Sequence, residues 1–340
     1  MTEPTSLATS PAPDAAASFQ RVLGLVGPRL AATEEVFRRH LGSDVPFIAD
    51  AGRYIGEGGG KRVRPALLLL AAHLLGHDGE EEVTYAAVVE LIHAATLIHD
   101  DIIDSAPTRR GRPAIHELWG NHQTVLLGDW LYTTAMDLAL SHGRVEVIRR
   151  LCRATLRMTE GELLVLARLG APDLGVPEYF DIIERKTAAL FAASCSIPAL
   201  IPPARPEAGA ALEHYGRQLG LCFQLVDDLL DFTAREEELG KPVLSDLKEG
   251  KLTLPLLLAL ERGSPTERLA VTRVLEDRSF ERTAAAEILE LVRREGTLAQ
   301  VEEIAHRHAE TARRALEHFP PGEARDLLAE APDFVLYRRS

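Results

Sequence analysis

The chain has 340 residues, of which 46% are hydrophobic, and a formal net charge of −13. It is long enough to bury a large core without disulfides, either as one large domain or as two ordinary ones. Its negative charge disfavours nucleic acid and anionic lipid as partners, so an anionic substrate would need local basic clusters. The three cysteines are odd in number, far apart and outside any zinc spacing, which is typical of a reduced cytoplasmic protein.

The first sixteen residues are small and Pro-containing, with neither a basic start nor a long apolar run. We therefore expect residues 1–16 to form a disordered tail, not a targeting peptide, and residues 17–340 to form one domain. The strongest apolar run, at 65–76, is too short to span a bilayer, which needs about 20 residues. No transmembrane segment is predicted.

Apolar residues recur at helical spacing along nearly the whole chain, without a convincing strand of useful length, so the sequence predicts an all-α fold. Segments rich in Gly and Pro divide the helices. They lie at 56–62, 76–80, 170–177, 201–209 and 240–251. None is long enough to be a confident linker, which favours a single large helical domain over two.

Two short acidic motifs share one pattern, "DDIID" at 100–104 and "DDLLD" at 227–231. Residues i and i+4 of a helix share a face, about 6 Å apart along the axis, so Asp100 points the same way as Asp104, and Asp227 the same way as Asp231. Such carboxylates repel, and their apolar surroundings raise the cost. One motif alone could be a solvated acidic face. Two copies favour a divalent cation, and Mg²⁺ takes one or two carboxylates together with substrate phosphate oxygens.

Basic residues accompany both motifs in a chain that is acidic overall. They are Lys61, Arg62 and Arg64 after a triple glycine, Arg109, Arg110 and Arg112 after the first motif, Lys186 beside Thr187, and Lys241 and Lys251 after the second motif. A solvated surface could explain any one cluster, but together they favour ligands that carry several phosphates, such as diphosphates. His93 lies nearly two turns before Asp100 on the same face, either as a structural residue or as another phosphate donor.

Two other phosphate chemistries fit less well. A nucleotide-binding P-loop requires Gly-Lys-Ser/Thr after a strand, whereas Arg62 follows Lys61 here. A helical metal phosphohydrolase would use His99 with Asp100, but it would leave the second motif without a purpose.

The ordered series "GGKRVRP", "HDDIIDSAPTRRG", "GDWLY", "KTAALF", "FQLVDDLLDF" and "GKPVLSDLKEGKLTLP" resembles the trans-prenyl diphosphate synthases, or polyprenyl synthetases. The resemblance runs from about residue 20 to near the C-terminus, and it is strongest to long-chain bacterial enzymes that make quinone side chains. It implies a single helical bundle, usually homodimeric, in which the two motifs face each other across a deep central cavity.

The resemblance also implies residue roles. Asp100, Asp104, Asp227 and Asp231 would hold about three Mg²⁺ ions on an allylic diphosphate, with Asp101 and Asp228 in support. The allylic substrate would contact Arg109, Lys186, Thr187, Gln224, Lys241 and Lys251. Isopentenyl diphosphate would contact Lys61, Arg64, His93 and Arg110. Asp100, Asp104, Asp227, Lys186 and Gln224 would act in catalysis.

Product length is predicted from the positions just before the first motif. Short-chain farnesyl enzymes resemble one another in carrying aromatic residues at the fifth and fourth positions before it, where this chain has Ala95 and Thr96. We expect a product longer than twenty carbons, limited deeper down by the helix with Tyr132, Met136, Ala139 and Leu140. The alternative is that these residues only pack against neighbouring helices.

Several related functions stay open. The product could be the twenty-carbon geranylgeranyl diphosphate, or the chain could be the catalytic half of a heterodimer. A noncatalytic partner subunit is disfavoured because all six aspartates are present. A terpene cyclase is disfavoured because Lys61, Arg64 and Arg110 provide for a second diphosphate. Transient membrane contact could assist product release.

Overall fold

The computed structural model describes residues 15–203, 205–233 and 243–338. The regular secondary structure of these residues is helical apart from one short hairpin, so the prediction of an all-α fold is confirmed. The helices are, in chain order, α1 (Ala15–Arg39), α2 (Pro46–Glu57), α3 (Val63–Leu74), α4 (Glu80–Ile103), α5 (Ile115–Trp119), α6 (Asn121–Leu140), α7 (Val145–Arg168), α8 (Val176–Ile183), α9 (Ala189–Ser196), α10 (Pro206–Thr233), α11 (Ser245–Lys248), α12 (Leu254–Arg262), α13 (Pro265–Asp277), α14 (Ala285–Arg294), α15 (Thr297–Ala315) and α16 (Glu323–Leu336).

The N-terminal boundary differs slightly from the expected one. Helix α1 begins at Ala15, two residues before the predicted start of the domain, and residues 1–14 of the predicted tail lie outside the described residues. Between α8 and α9 the chain forms a π-helix (Glu184–Ala188), and a 3₁₀-helix (Ile197–Leu200) follows α9.

Helices α4 and α10 form the middle of the bundle. Helix α4 packs against α1, α3 and α6, and α10 packs against α9, α15 and α16. The largest fully buried side chains include Tyr85 and Leu91 on α4 and Tyr215 on α10. Buried apolar residues of the described part of the chain form one continuous cluster from α1 to α16.

Both acidic motifs lie at the C-terminal end of a long helix. Helix α4 begins with three glutamates, Glu80 to Glu82, which interact favourably with the positive end of the helix dipole. Its other end, where the dipole is negative, carries Asp100 and Asp104, and α10 likewise ends just after Asp231. Carboxylates at that end are unfavourable unless a cation compensates.

The hairpin pairs β1 (Thr108–Arg109) with β2 (Arg112–Pro113), antiparallel, directly after the first motif. Its central residues, Arg110 and Gly111, both have positive φ angles, as the tightest hairpin turns require. Two-residue strands are too short to give a period-two pattern, which is why the sequence did not indicate them. The turn places Arg109 and Arg110 beside the end of α4.

No helix among the described residues is long and apolar enough to cross a membrane.

Candidate active site

A cavity of about 940 Å³ lies between α4, α6, α7, the π-helix and α10. Asp100 of the first motif and Asp227 of the second both line it. Its apolar part is lined by Ala95, Leu97, Ile103, Tyr132, Leu156, Met158 and Phe223. One space therefore combines carboxylates at the helix ends with a long apolar wall.

The three aspartates of the first motif have different surroundings. Burial, opposed by Lys186 and reinforced by Glu162, raises the pKa of Asp100 to about 6. Asp101 is buried and accepts a hydrogen bond from Arg109 Nε (2.6 Å). Asp104 Oδ1 accepts a hydrogen bond from Lys251 Nζ (2.8 Å). Burial alone would lower the pKa of Lys251, but Asp104 and Glu249 raise it above its usual value.

The three aspartates of the second motif also differ in their surroundings. Asp227 is half exposed and pairs with Arg338 (2.6 Å). Asp228 is buried and accepts hydrogen bonds from Tyr179 Oη (2.5 Å) and Gln224 Nε2 (2.9 Å), and burial raises its pKa to about 8. Asp231 accepts hydrogen bonds from the backbone N–H and the hydroxyl of Ser245 (3.1 and 2.7 Å), so its carboxylate lies against the start of α11.

Carboxylates of both motifs fit a divalent metal that is shared with a substrate. In the described part of the chain no three acidic, histidine or cysteine side chains converge closely enough to hold a metal by themselves. Asp104 and Asp227 are each paired with a cation, Lys251 and Arg338, and Asp100 is buried beside Lys186. Hard oxygen donors that already attract positive charge suit Mg²⁺, which needs only one or two of them once phosphate oxygens complete its shell.

A basic recess of about 390 Å³ opens beside the cavity and is lined by Lys61, Arg64, His93 and Arg110. Burial lowers the pKa of Arg64 to about 10, and its guanidinium lies 4.5 Å from the centre of the Phe191 ring. Its Nε–H is buried and donates a hydrogen bond to none of the described residues. Burial and the neighbouring arginines hold the pKa of His93 well below its usual value, so His93 is neutral here. The recess offers cationic donors to an anion.

The π-helix brings a second pair of predicted residues to the cavity. Lys186 and Thr187 both line it, and Thr187 Oγ1 donates to Gln224 Oε1 (2.7 Å) on α10. Gln224 in turn donates to Asp228, so a chain of hydrogen bonds runs from the cavity wall to the buried Tyr179.

Comparison with known proteins identifies the chain. The sequence model of the polyprenyl synthetase family matches residues 45–292. The chain belongs to the polyprenyl synthetase family. It is therefore a prenyltransferase, and enzymes of this family use a divalent metal.

Individual polyprenyl synthetases align along almost the whole chain. The octaprenyl diphosphate synthase of Escherichia coli is 38% identical over 92% of this chain and 96% of its own length. A short chain isoprenyl diphosphate synthase of Methanothermobacter thermautotrophicus is 38% identical over 85% and 89%. A polyprenyl synthase of Caulobacter crescentus, solved in complex with calcium and isoprenyl diphosphate, is 37% identical, covers 94% of this chain and 98% of its own, and superposes with a TM-score of 0.89.

The structure does not place every predicted site residue of this polyprenyl synthetase at the main cavity. Lys241 lies outside the described residues. Lys251 lines a smaller space of about 160 Å³ on the far side of Gln224. Met136 and Ala139 lie one and two turns beyond Tyr132 on the same face of α6, but they do not line the cavity, because Met136 packs against the core and Ala139 is fully buried. Leu140 is exposed, whereas Tyr132, Ala95 and Thr96 line the cavity.

The sequence analysis missed three residues of the site. Arg338 reaches Asp227 from the C-terminal end, 111 positions away in sequence, and no local pattern could indicate that. Tyr179 stands in an apolar helix and reads as an ordinary core residue. Glu162 lines the cavity beside Lys186, and only its position after Gly161 in "EGELL" sets it apart.

Proposed function

We propose that this polyprenyl synthetase uses Mg²⁺ to condense isopentenyl diphosphate with an allylic diphosphate and makes an all-trans product longer than twenty carbons. The observation that carries the proposal is the cavity itself, in which Asp100 and Asp227 lie at the charged part of a space with a long apolar wall. A diphosphate with a growing hydrocarbon tail has this division between charged and apolar parts.

Asp100, Asp104 and Asp227 would hold the metal, with about three ions per site when substrate oxygens complete the coordination. Asp101 and Asp228 would support them through Arg109 and Gln224, to which they are bonded. Asp231 would join the ligands only by releasing Ser245. Mg²⁺ bound by these carboxylates would supply positive charge to stabilise the negative charge that develops on the departing diphosphate.

The cationic residues divide between two diphosphates. The allylic diphosphate would be bound by four residues that line the main cavity, Arg109, Lys186, Thr187 and Gln224. Lys241 and Lys251, which follow the second motif in sequence, would also contact it. Lys61, Arg64, His93 and Arg110 line the recess and would bind isopentenyl diphosphate. Arg64, His93 and Arg110 also border the main cavity, so the two groups adjoin. The number of cationic side chains around the two spaces supports two anionic substrates and disfavours a terpene cyclase, which needs one.

The proposed condensation of the two diphosphates proceeds in three bond changes. The allylic C–O bond breaks, the double bond of isopentenyl diphosphate attacks the allylic cation, and a proton is lost, so each cycle adds five carbons. Released diphosphate is a suitable base, because the neutral His93 lies in the recess among cations and Glu90, the carboxylate of that recess, is paired with Arg62 (2.5 Å).

A product longer than twenty carbons is supported by the small residues Ala95 and Thr96 in the cavity wall and by the likeness to an octaprenyl diphosphate synthase. The twenty-carbon product is the alternative, and the short chain relative keeps it open.

We further propose a homodimer. Helices α6 and α7 expose Leu126 and Leu163 at 67% and 60%, and apolar side chains left exposed on two helices suit a partner subunit. A different partner chain on the same face would make this chain the catalytic half of a heterodimer. The native mass of the purified chain, measured by light scattering, tests this: twice the mass of one chain supports the homodimer, whereas the mass of one chain contradicts it and favours the heterodimer.

The decisive experiment incubates the purified chain with radiolabelled isopentenyl diphosphate, Mg²⁺ and one of three primers, with ten, fifteen or twenty carbons. We expect polyprenyl diphosphates longer than twenty carbons, and none when a chelator is added. Asp100→Asn should abolish most activity, whereas Asp129→Asn, an exposed aspartate at the rim of the same cavity, should change it little. A product that stops at twenty carbons would contradict the long-chain assignment, and cyclised hydrocarbon or inactivity would contradict the reaction.

A further inference from the structure

The cavity contains one buried carboxylate, Glu162, to which the proposed reaction gives no part. Glu162 lies on α7 and lines the cavity together with Asp100 and Lys186. Both of its oxygens are buried, and neither accepts a hydrogen bond of ordinary geometry from a described residue. Its Oε2 forms an ion pair with the ammonium of Lys186. The pair is largely shielded, since the side chains are 13% and 29% exposed.

The backbone is built to bring these two groups together. Gly161 lies where α7 meets the π-helix, and a Cβ at this position would come within 2.7 Å of the backbone nitrogen of Lys186. Glycine therefore permits a contact that any other residue would prevent. The π-helix that carries Lys186 is itself an uncommon conformation, of the kind that occurs frequently at functional sites.

A carboxylate at this point opposes the proposed chemistry unless it has a compensating role. It reinforces the raised pKa of Asp100 and would repel an incoming diphosphate. Lysine, however, is a point charge on a flexible four-carbon stem that loses rotamer entropy when it is fixed. A partner that fixes the ammonium before the substrate arrives removes that cost from the binding step, and the ammonium keeps two N–H donors for a phosphate.

We propose that Glu162 is a positioning residue that holds the Lys186 ammonium at the cavity wall, directed to the diphosphate of the allylic substrate. This inference rests on the proposed function, in which Lys186 contacts that diphosphate. It predicts that the loss of activity on removing Glu162 falls on the allylic substrate and arises through Lys186.

The chain offers a matched control two residues away. Glu160 lies on the same helix and pairs with Arg185 of the same π-helix (2.5 Å), but it is 51% exposed and does not line the cavity. Its loss removes an ion pair between the same two elements and leaves Lys186 untouched. Any general effect of loosening α7 from the π-helix will therefore appear in Glu160→Ala.

The test is a double-mutant cycle with Glu162→Ala, Lys186→Ala and the double variant, together with Glu160→Ala. Single condensations are measured with KM and kcat for each substrate separately. We expect Glu162→Ala to lower kcat/KM for the allylic diphosphate about tenfold or more, with KM for isopentenyl diphosphate within about twofold of the original. In the Lys186→Ala background the same change should cost less than about twofold, because the group it positions is gone. Glu160→Ala should stay within about twofold throughout.

Glu162→Gln preserves the side-chain volume and replaces Glu162→Ala if the latter does not fold. The same cycle then applies, since the amide cannot form the ion pair. Additive losses of Glu162 and Lys186 would overturn the inference, as would a loss confined to isopentenyl diphosphate or an equal loss in Glu160→Ala. These outcomes require an active original chain, so they are distinct from inactivity of that chain, which would overturn the proposed function itself.

Discussion

At the scale of single residues, burial changes the protonation of Asp100, which is a proposed metal ligand. Its pKa is raised from 3.8 to about 6 by burial, against the pull of Lys186. A carboxyl with a raised folded pKa stabilises the fold in its protonated form, which is complete below pH 3.8 and is lost as pH rises through 6. At neutral pH the metal-free protein therefore carries an uncompensated buried charge.

We expect Asp100→Asn to raise the free energy of unfolding of the metal-free protein by on the order of 1 to 3 kcal/mol at about pH 7.5, and by little at about pH 4. Urea unfolding in the presence of a chelator measures both values. With Mg²⁺ and a diphosphate added the sign should reverse, because in the proposed site the ionised carboxylate of Asp100 would bind the metal and the amide of the variant would not. Equal stabilisation at both pH values would show that shape, not charge, is responsible.

The hydroxyl of Tyr179 lies at one end of a chain of hydrogen bonds that leads through Asp228 and Gln224 to Thr187. Tyr179→Phe leaves a buried carboxyl oxygen without its donor, which should cost about 1 to 3 kcal/mol of stability and about tenfold in activity as Gln224 shifts. Tyr215→Phe is the control, since its buried hydroxyl donates to Leu328 O (2.7 Å) and lines no part of the cavity. It should lose stability but keep activity, as thermal unfolding and initial rates will show.

The sequence indicated which residue types form the candidate site, but it did not indicate which partner each aspartate contacts. The pattern treats Asp104 and Asp231 as equivalent last members of two motifs. In the structure Asp104 meets Lys251, whereas Asp231 meets Ser245 because the chain returns onto the end of α10. That difference arises from tertiary contacts, which helical spacing does not encode.

At the scale of elements, the close approach of α7 to the π-helix makes Gly161 testable. Gly161→Ala places a methyl group 2.7 Å from a backbone nitrogen, and neither backbone can move without displacing Lys186. We expect lower stability, by about 1 to 3 kcal/mol, and a reduced kcat/KM for the allylic diphosphate. Gly24→Ala in α1 is the control, because a Cβ there meets nothing within 4 Å. It should stabilise the protein by about 0.5 to 1 kcal/mol in chemical denaturation.

Helical periodicity predicted the long elements well and the irregular ones not at all. Helices α4 and α10 carry the apolar spacing and contain both motifs where the sequence placed them. The π-helix has no periodicity of its own within five residues, so its effect on Lys186 and Thr187 became visible only in three dimensions. Helix α11 lies inside a segment read as a breaker, since four residues are too few for a periodic signal.

At the scale of the whole molecule, the depth of the cavity depends on helices that are far apart in sequence. Ala95 of α4, Tyr132 of α6 and Leu156 of α7 line one apolar wall. The sequence could indicate Ala95 because it lies a fixed distance before the first motif. The contribution of α7 was not foreseeable, because Leu156 on its surface looks like any apolar helix residue.

Two opposite changes in this wall predict opposite changes in product length. Ala95→Phe adds a ring to a residue that is 2% exposed and already borders the cavity, so the ring must fill part of the space for the tail. We expect shorter products, together with about 1 to 3 kcal/mol of lost stability from overpacking. Tyr132→Ala removes a ring from the same wall and should lengthen them.

Tyr132→Phe distinguishes the effect of cavity volume from that of the Tyr132 hydrogen bond, because it keeps the ring and removes only the hydrogen bond to Thr155 Oγ1 (3.2 Å). If the volume available to the tail sets product length, Tyr132→Phe leaves the distribution unchanged while Tyr132→Ala shifts it upward. Thin-layer chromatography of the dephosphorylated products measures the product lengths of all three variants and of the original chain. A distribution that follows the hydrogen bond instead, or an unaltered one in Ala95→Phe, would mean that the limit lies elsewhere than in this wall.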